Sequence, residues 1–155
     1  MNKAFIFPGQ GSQIVGMGKD FFESDKIAKS SIEEVDDALG YKLSDIIFNG
    51  TMEALSVTTN TQPAIMAVSV AILRVLCDRS GKKIEELCQY VAGHSLGEYS
   101  ALCSSGVLSL SDTARLLKVR AHSMQIASPI GEGGMAACIG IDAQKKKKII
   151  DEVID

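Results

Sequence analysis

The chain lacks any C-x-x-C pair: its four cysteines stand alone at 77, 88, 103 and 138 among apolar or small neighbours such as Leu76, Leu87, Leu102 and Ala137. That spacing argues against a metal site and a disulfide framework, and leaves free buried thiols in a reducing compartment. Long hydrophobic runs are missing as well. The longest, Ala64–Leu73 with only Ser69 polar, is about half of what a bilayer crossing needs, so it reads as a helix buried in protein. The N-terminus offers only Ala4, Phe5, Ile6 and Phe7 before Pro8, far short of a signal-peptide core. Charge of one sign is also scarce. Sixteen Lys and Arg against nineteen Asp and Glu leave a net charge of -3, which favours neither nucleic acid nor a membrane surface as partner. With 46% hydrophobic and 23% charged residues, the 155-residue chain has the composition of one ordinary globular domain.

What is present reads as alternating strands and helices. Ala4–Phe7, stopped by Pro8-Gly9, suits a buried parallel strand feeding a loop. Ala28, Ile32, Val35 and Leu39 recur at helical spacing before Gly40, a C-terminal cap. Short helices follow over Leu43–Phe48 and Met52–Leu55. Thr61-Gln62-Pro63 opens a longer helix, Pro63 falling where a missing N–H costs nothing, and Gly81 closes it. Gln89–Ala92 is a second strand. It runs into Gly93-His94-Ser95-Leu96-Gly97 and a helix from Glu98 to about Ser104. Ser109 or Ser111 caps a further helix carrying Leu110, Ala114, Leu117, Ala121 and Met124, which Pro129 ends. After a glycine hinge at 131–134, Met135–Ile139 reads as a strand and Asp142 as the cap of a helix with Ile149, Ile150, Val153 and Ile154 on one edge. That lone β-α unit looks like the start of a subdomain, dividing the chain into 1–128 and 129–155.

The sharpest chemical feature is Gly93-His94-Ser95-Leu96-Gly97. A serine between a strand and a helix, with glycine on either side, sits on a strained turn that exposes its hydroxyl for attack. The same turn puts Ser95 at a helix N-terminus, where the Leu96 N–H can stabilise an oxyanion. The plainer alternative is a glycine-flanked turn with a capping serine. A base is harder to find, because histidine occurs only twice. His94 abuts Ser95, and neighbouring side chains in such a turn point apart, which makes it a turn-shaping residue. His122 lies on the polar side of its helix.

The loop Pro8–Gln13 fails the phosphate-cradle patterns: the dinucleotide motif needs glycine where Ile14 stands, and the P-loop needs it at Gln13. Gln10, at the carboxyl end of a strand, can turn its amide or N–H toward a substrate oxygen. Arg120, flanked one turn away by Leu116 and Met124, borders an apolar face, where a guanidinium wants a carboxylate from the protein or from a ligand. Lys145–Lys148 spreads around its helix as a solvated face.

Three segments in order, Phe7-Pro8-Gly9-Gln10-Gly11-Ser12-Gln13, Asn60-Thr61-Gln62-Pro63-Ala64 and Gly93-His94-Ser95-Leu96-Gly97-Glu98-Tyr99-Ser100-Ala101-Leu102, make the sequence resemble the malonyl-CoA:acyl carrier protein transacylases. The likeness continues through Val119-Arg120 and Gly133–Ala137. It implies an α/β-hydrolase-like core with a parallel sheet and nucleophile elbow, joined to the start of a ferredoxin-like subdomain. It also implies that Ser95 is the acyl-accepting nucleophile, that Gln10 and Leu96 form the oxyanion hole, and that Arg120 holds the malonyl carboxylate. Gln62 and His94 would line the same cleft. Malonyl-CoA and acyl carrier protein are the partners so implied, in the cytoplasm, without metal or bound cofactor. Family members run roughly twice as long, with the catalytic histidine in their second half, so the chain resembles an N-terminal half. A serine thioesterase or esterase, and a non-catalytic remnant that binds acyl-CoA, are the competing readings.

Overall fold

The computed structural model describes residues 2–127 together with 140, 142, 144 and 145. Strand β1 (Ala4–Phe7) pairs in parallel with β2 (Tyr90–Gly93), Ala4 opposite Tyr90 and Phe7 opposite Gly93. Parallel neighbours need a crossover. Here six helices provide it: α1 (Lys19–Ser24), α2 (Lys26–Leu39), α3 (Leu43–Asn49), α4 (Met52–Ser56), α5 (Thr58–Ser80) and α6 (Ile84–Leu87). Helices α7 (Leu96–Ser104) and α8 (Leu110–Ala127) follow β2. The result is an α/β fold, mostly helical, around a small parallel sheet.

The helical periods of the sequence become buried stripes. Ala28, Ile32, Val35 and Leu39 of α2 are all buried, as are Leu110, Ala114, Leu117 and Ala121 of α8. Both meet α5, and side chains of α2, α3, α5, α7 and α8 share one apolar core. Local chemistry sets the ends. Asp25 caps α2 by accepting from the N–H groups of Ile27 and Ala28 at 2.9 and 3.4 Å, and Gly40 closes it at φ 77. Ser109 Oγ accepts from the Asp112 N–H at 3.0 Å at the start of α8. Buried Asp36 ties α2 to α3, accepting from the Ser44 N–H at 2.9 Å and from its hydroxyl at 2.6 Å.

Two expectations need correction. Helix α5 starts a turn earlier than Thr61, so Pro63 lies inside it. Thr58, Thr59 and Asn60 are weak helix formers, and side-chain hydrogen bonds hold the early turn. Asn60 donates to the Ala54 carbonyl at 2.9 Å, Tyr41 donates to Asn60 Oδ1 at 3.2 Å, and the Thr61 hydroxyl reaches the Leu55 carbonyl at 2.5 Å. From Thr61 to Val68 every residue of α5 is buried. By length and composition the helix could cross a membrane, yet 67% of its apolar window is buried inside the protein.

The second correction concerns β1. It is not buried on both faces. Phe7 packs with Leu73 and Ala101 on the helical side, whereas Ile6 is 70% exposed and Tyr90 of β2 62% exposed on the other. Among the described residues helices cover one face of the sheet only. Helices α1 and α6, six and four residues long, are too short to show a period in the sequence. At 129–155, Asp142 Oδ1 accepts from the Lys145 N–H at 2.8 Å. The strand Met135–Ile139, the Pro129 stop, Cys138, the rest of the lysine run and the apolar edge of the last helix lie outside the described residues.

Candidate active site

The parallel register brings two loops to the same end of the sheet: Phe7 and Gly93 are paired, and Pro8–Gln13 and His94–Gly97 leave from them side by side. The second loop is a strained elbow. Ser95 has φ 56 and ψ −112, the sole positive φ outside glycine among the described residues. Its neighbours are glycines for steric reasons. A Cβ on Gly93 would run into the Gly97 carbonyl, and one on Gly97 would run into the Phe7 carbonyl, with the Pro8 oxygen 2.9 Å away. The two loops are packed backbone to backbone. At Gly9 a Cβ would lie 3.0 Å from His94 Nδ1 and 3.0 Å from the His94 carbonyl.

The elbow feeds directly into α7. Gly97 N–H donates to the His94 carbonyl at 2.9 Å and Glu98 N–H to the Ser95 carbonyl at 3.2 Å. The Leu96 N–H, first in the helix, has no intrahelical acceptor by position, and it stands next to an exposed serine hydroxyl. Across the elbow, the first loop is held by its own side chains. Gln13, nearly buried, accepts from the Gly11 N–H at 2.8 Å, and the Ser12 hydroxyl donates to the Gly9 carbonyl at 2.9 Å. Gln10 is left exposed at the tip.

Arg120 reaches the elbow from α8. Its Nη2 donates to Ser95 Oγ at 2.9 Å and its Nη1 to Gln62 Oε1 at 2.6 Å, while the guanidinium carbon lies 5.7 Å from the centroid of the Tyr99 ring. Gln62 is fully buried in α5. Three elements far apart in sequence thus meet in one hydrogen-bonded line, Gln62–Arg120–Ser95. Of the partners open to Arg120, an internal carboxylate is not the one used: among the described residues no Asp or Glu lies within ion-pair distance of it. The guanidinium is half-exposed beside the serine, its charge matched by no carboxylate of the described residues.

The two histidines do not join this line. His94 is exposed and faces Gly9. His122 is exposed and two residues from Arg120, about 200° around the helix, so it points away from Ser95. Sequence reasoning missed three contributors. Gln13, Tyr99 and Met124 were legible only as members of a motif or an apolar stripe, since what each does depends on a group brought from another element.

Comparison with known proteins matches residues 4–154 to the acyl transferase domain. The malonyl CoA-acyl carrier protein transacylase of Bacillus subtilis (strain 168) is 44% identical over 152 residues, 98% of this chain and 46% of the relative. The crystal structure of acyl-carrier-protein-S-malonyltransferase from Bartonella henselae superposes with a TM-score of 0.92 at 54% identity, covering 99% of this chain and 48% of that one. A malonyl-transacylase solved in complex with a type II PKS acyl-carrier protein gives a TM-score of 0.90 at 40% identity, over 100% and 49% of the two chains. The chain spans about half the length of the curated relatives it matches. The match runs through both loops at the sheet end and over nearly every residue: the chain belongs to the acyl transferase domain family.

Proposed function

We propose that the chain carries the acyl-accepting half of a malonyl-CoA:acyl carrier protein S-malonyltransferase of fatty acid biosynthesis. The observation that carries the reading is Arg120, 2.9 Å from Ser95 Oγ with no carboxylate of the described residues to neutralise it. A carboxylated acyl group supplies that charge and brings its thioester carbonyl to the serine.

Ser95 Oγ attacks the thioester carbon of malonyl-CoA. A C–O bond forms, the C–S bond breaks, and the serine proton passes through a base to the departing CoA thiolate. The Leu96 N–H and the Gln10 loop donate to the carbonyl oxygen as it gains charge. The phosphopantetheine thiol of acyl carrier protein then attacks the ester: C–S forms, C–O breaks, and Ser95 recovers its proton. The base belongs to the part of the relatives that this chain does not span, since neither His94 nor His122 reaches Ser95. His94 instead shapes the mouth of the cleft against Gly9, and Gln62 anchors the guanidinium. The chemistry calls for no resident metal or cofactor and suits a cytoplasmic enzyme. The α/β-hydrolase-like core would occupy 1–128, and the ferredoxin-like subdomain would begin at 129.

Intact-mass measurement after incubation with malonyl-CoA tests the reading. A malonyl adduct is expected on Ser95 and absent in Ser95→Ala, in the 155-residue chain slowly and in a full-length form rapidly. A full-length form with no adduct, or with equal labelling of Ser95→Ala, overturns it. Free malonate released faster than carrier protein is loaded would make it a thioesterase instead.

A further inference from the structure

The side chain of Gln62 has two unlike ends, an oxygen that accepts and an NH2 that donates, and it is fully buried. Both ends therefore need partners of the right kind. Helix α8 supplies both from one face. Arg120, which can only donate, meets Oε1 at 2.6 Å, and Met124 Sδ, which can only accept, meets Nε2 at 3.4 Å. The two residues stand four apart on α8, one turn, so donor and acceptor are spaced to grip the two ends of a single amide from α5. Reversing the amide would set NH2 against guanidinium and oxygen against sulfur, both repulsive.

That grip has a consequence for the serine. With Nη1 engaged by Gln62, the guanidinium is turned so that Nη2 meets Ser95 Oγ at 2.9 Å, with the Tyr99 ring alongside at 5.7 Å. We infer that Met124 is a positioning residue for carboxylate recognition: its thioether, by holding the Gln62 amide in one flip, aims Arg120 at the acyl pocket beside Ser95. The inference rests on the reading of Arg120 as the carboxylate-binding group. It gives Met124, which on spacing alone belongs to the apolar stripe of α8, a polar task.

Met124→Leu keeps the bulk and removes the acceptor. The malonyl-CoA to acetyl-CoA affinity ratio of the 155-residue chain, measured by calorimetry, is expected to fall about fivefold, the worth of one neutral hydrogen bond, with acetyl-CoA binding unchanged. Met124→Gln, which returns an acceptor oxygen at similar reach, recovers most of the ratio. A second readout needs no ligand. The Gln62 side-chain NH2 signals in a nitrogen–proton NMR spectrum, assigned by their loss in Gln62→Leu, should shift and exchange faster with solvent in Met124→Leu. Unmoved Gln62 signals together with an unchanged ratio, or with equal weakening toward both thioesters, overturn the inference. Arg120→Ala separates the two readings. If it leaves the malonyl preference intact, the carboxylate reading of Arg120 fails. The Gln62 signals then decide the role of Met124 alone: movement keeps it as the residue that sets the amide, and no movement removes it.

Discussion

The two loops at the carboxyl end of the sheet reach a defined shape by opposite means. His94–Gly97 is shaped by exclusion. Its glycines leave no room for a Cβ, and Ser95 is held at φ 56 between two backbones that cannot yield. Pro8–Gln13 is shaped by attraction, its backbone hydrogen-bonded to Gln13 and Ser12 and its tip, Gln10, left in solvent. Steric exclusion fixes an atom tightly and tolerates no substitution. Hydrogen bonds to a loop hold a backbone more softly and let it adapt. That division leaves Ser95 and the Leu96 N–H rigidly placed, while the facing loop with Gln10 at its tip keeps freedom to adapt.

The largest effect should come from adding a methyl group to the elbow. Gly93→Ala drives a Cβ into the Gly97 carbonyl, backbone against backbone, and is expected to cost about 4 kcal/mol or more, measured by urea denaturation. A cost near that of a surface alanine would mean that the elbow is softer than its packing implies. Next, relieving the strain should reverse the sign. Ser95→Gly is expected to gain about 1 kcal/mol of stability while losing the malonyl adduct, the mark of a strained functional residue. A loss of stability would place the strain elsewhere.

In the softer loop, Gln13→Ala removes the acceptor of the Gly11 N–H, and the expected cost is about 1 kcal/mol, with the elbow unperturbed. Equal damage to both loops would show that they are one unit. The smallest effect lies away from both, as a control. Asp25 caps α2 and pairs with Arg79 at 3.0 Å. Desolvation pushes its carboxyl up, but the Arg79 hydrogen bond, the Ile27 and Ala28 N–H groups and the Arg79 charge outweigh it, and the net direction is down. The stabilisation is therefore present above the unfolded-state value of about 4 and fades as pH falls through the lower folded value. Asp25→Asn should flatten that acid limb of the melting curve slightly and leave both loops and Ser95 acylation unchanged.

Much of this was legible because it is local. The strand–turn–helix around Ser95 follows from glycines on either side of a serine. The stripe Ala28, Ile32, Val35, Leu39 follows from a 3.6-residue period, and the buried character of α5 from its lack of a polar face. Short helices such as α1 and α6 carry too few residues to show a period. The early start of α5 rests on Asn60 and Thr61 reaching carbonyls of α4 and its junction, contacts that propensity does not encode.

The chain by itself determined where a strained, exposed serine has to sit, because the conformation of a single turn depends on which adjacent residues lack a Cβ. What that serine faces was decided only in three dimensions. Gln62 and Arg120 are 58 residues apart, and Arg120 and Ser95 are 25 apart. Spacing shows only that such residues exist. Packing α8 against both α5 and α7 leaves the guanidinium no carboxylate among the described residues, and a buried amide and a serine hydroxyl in its place.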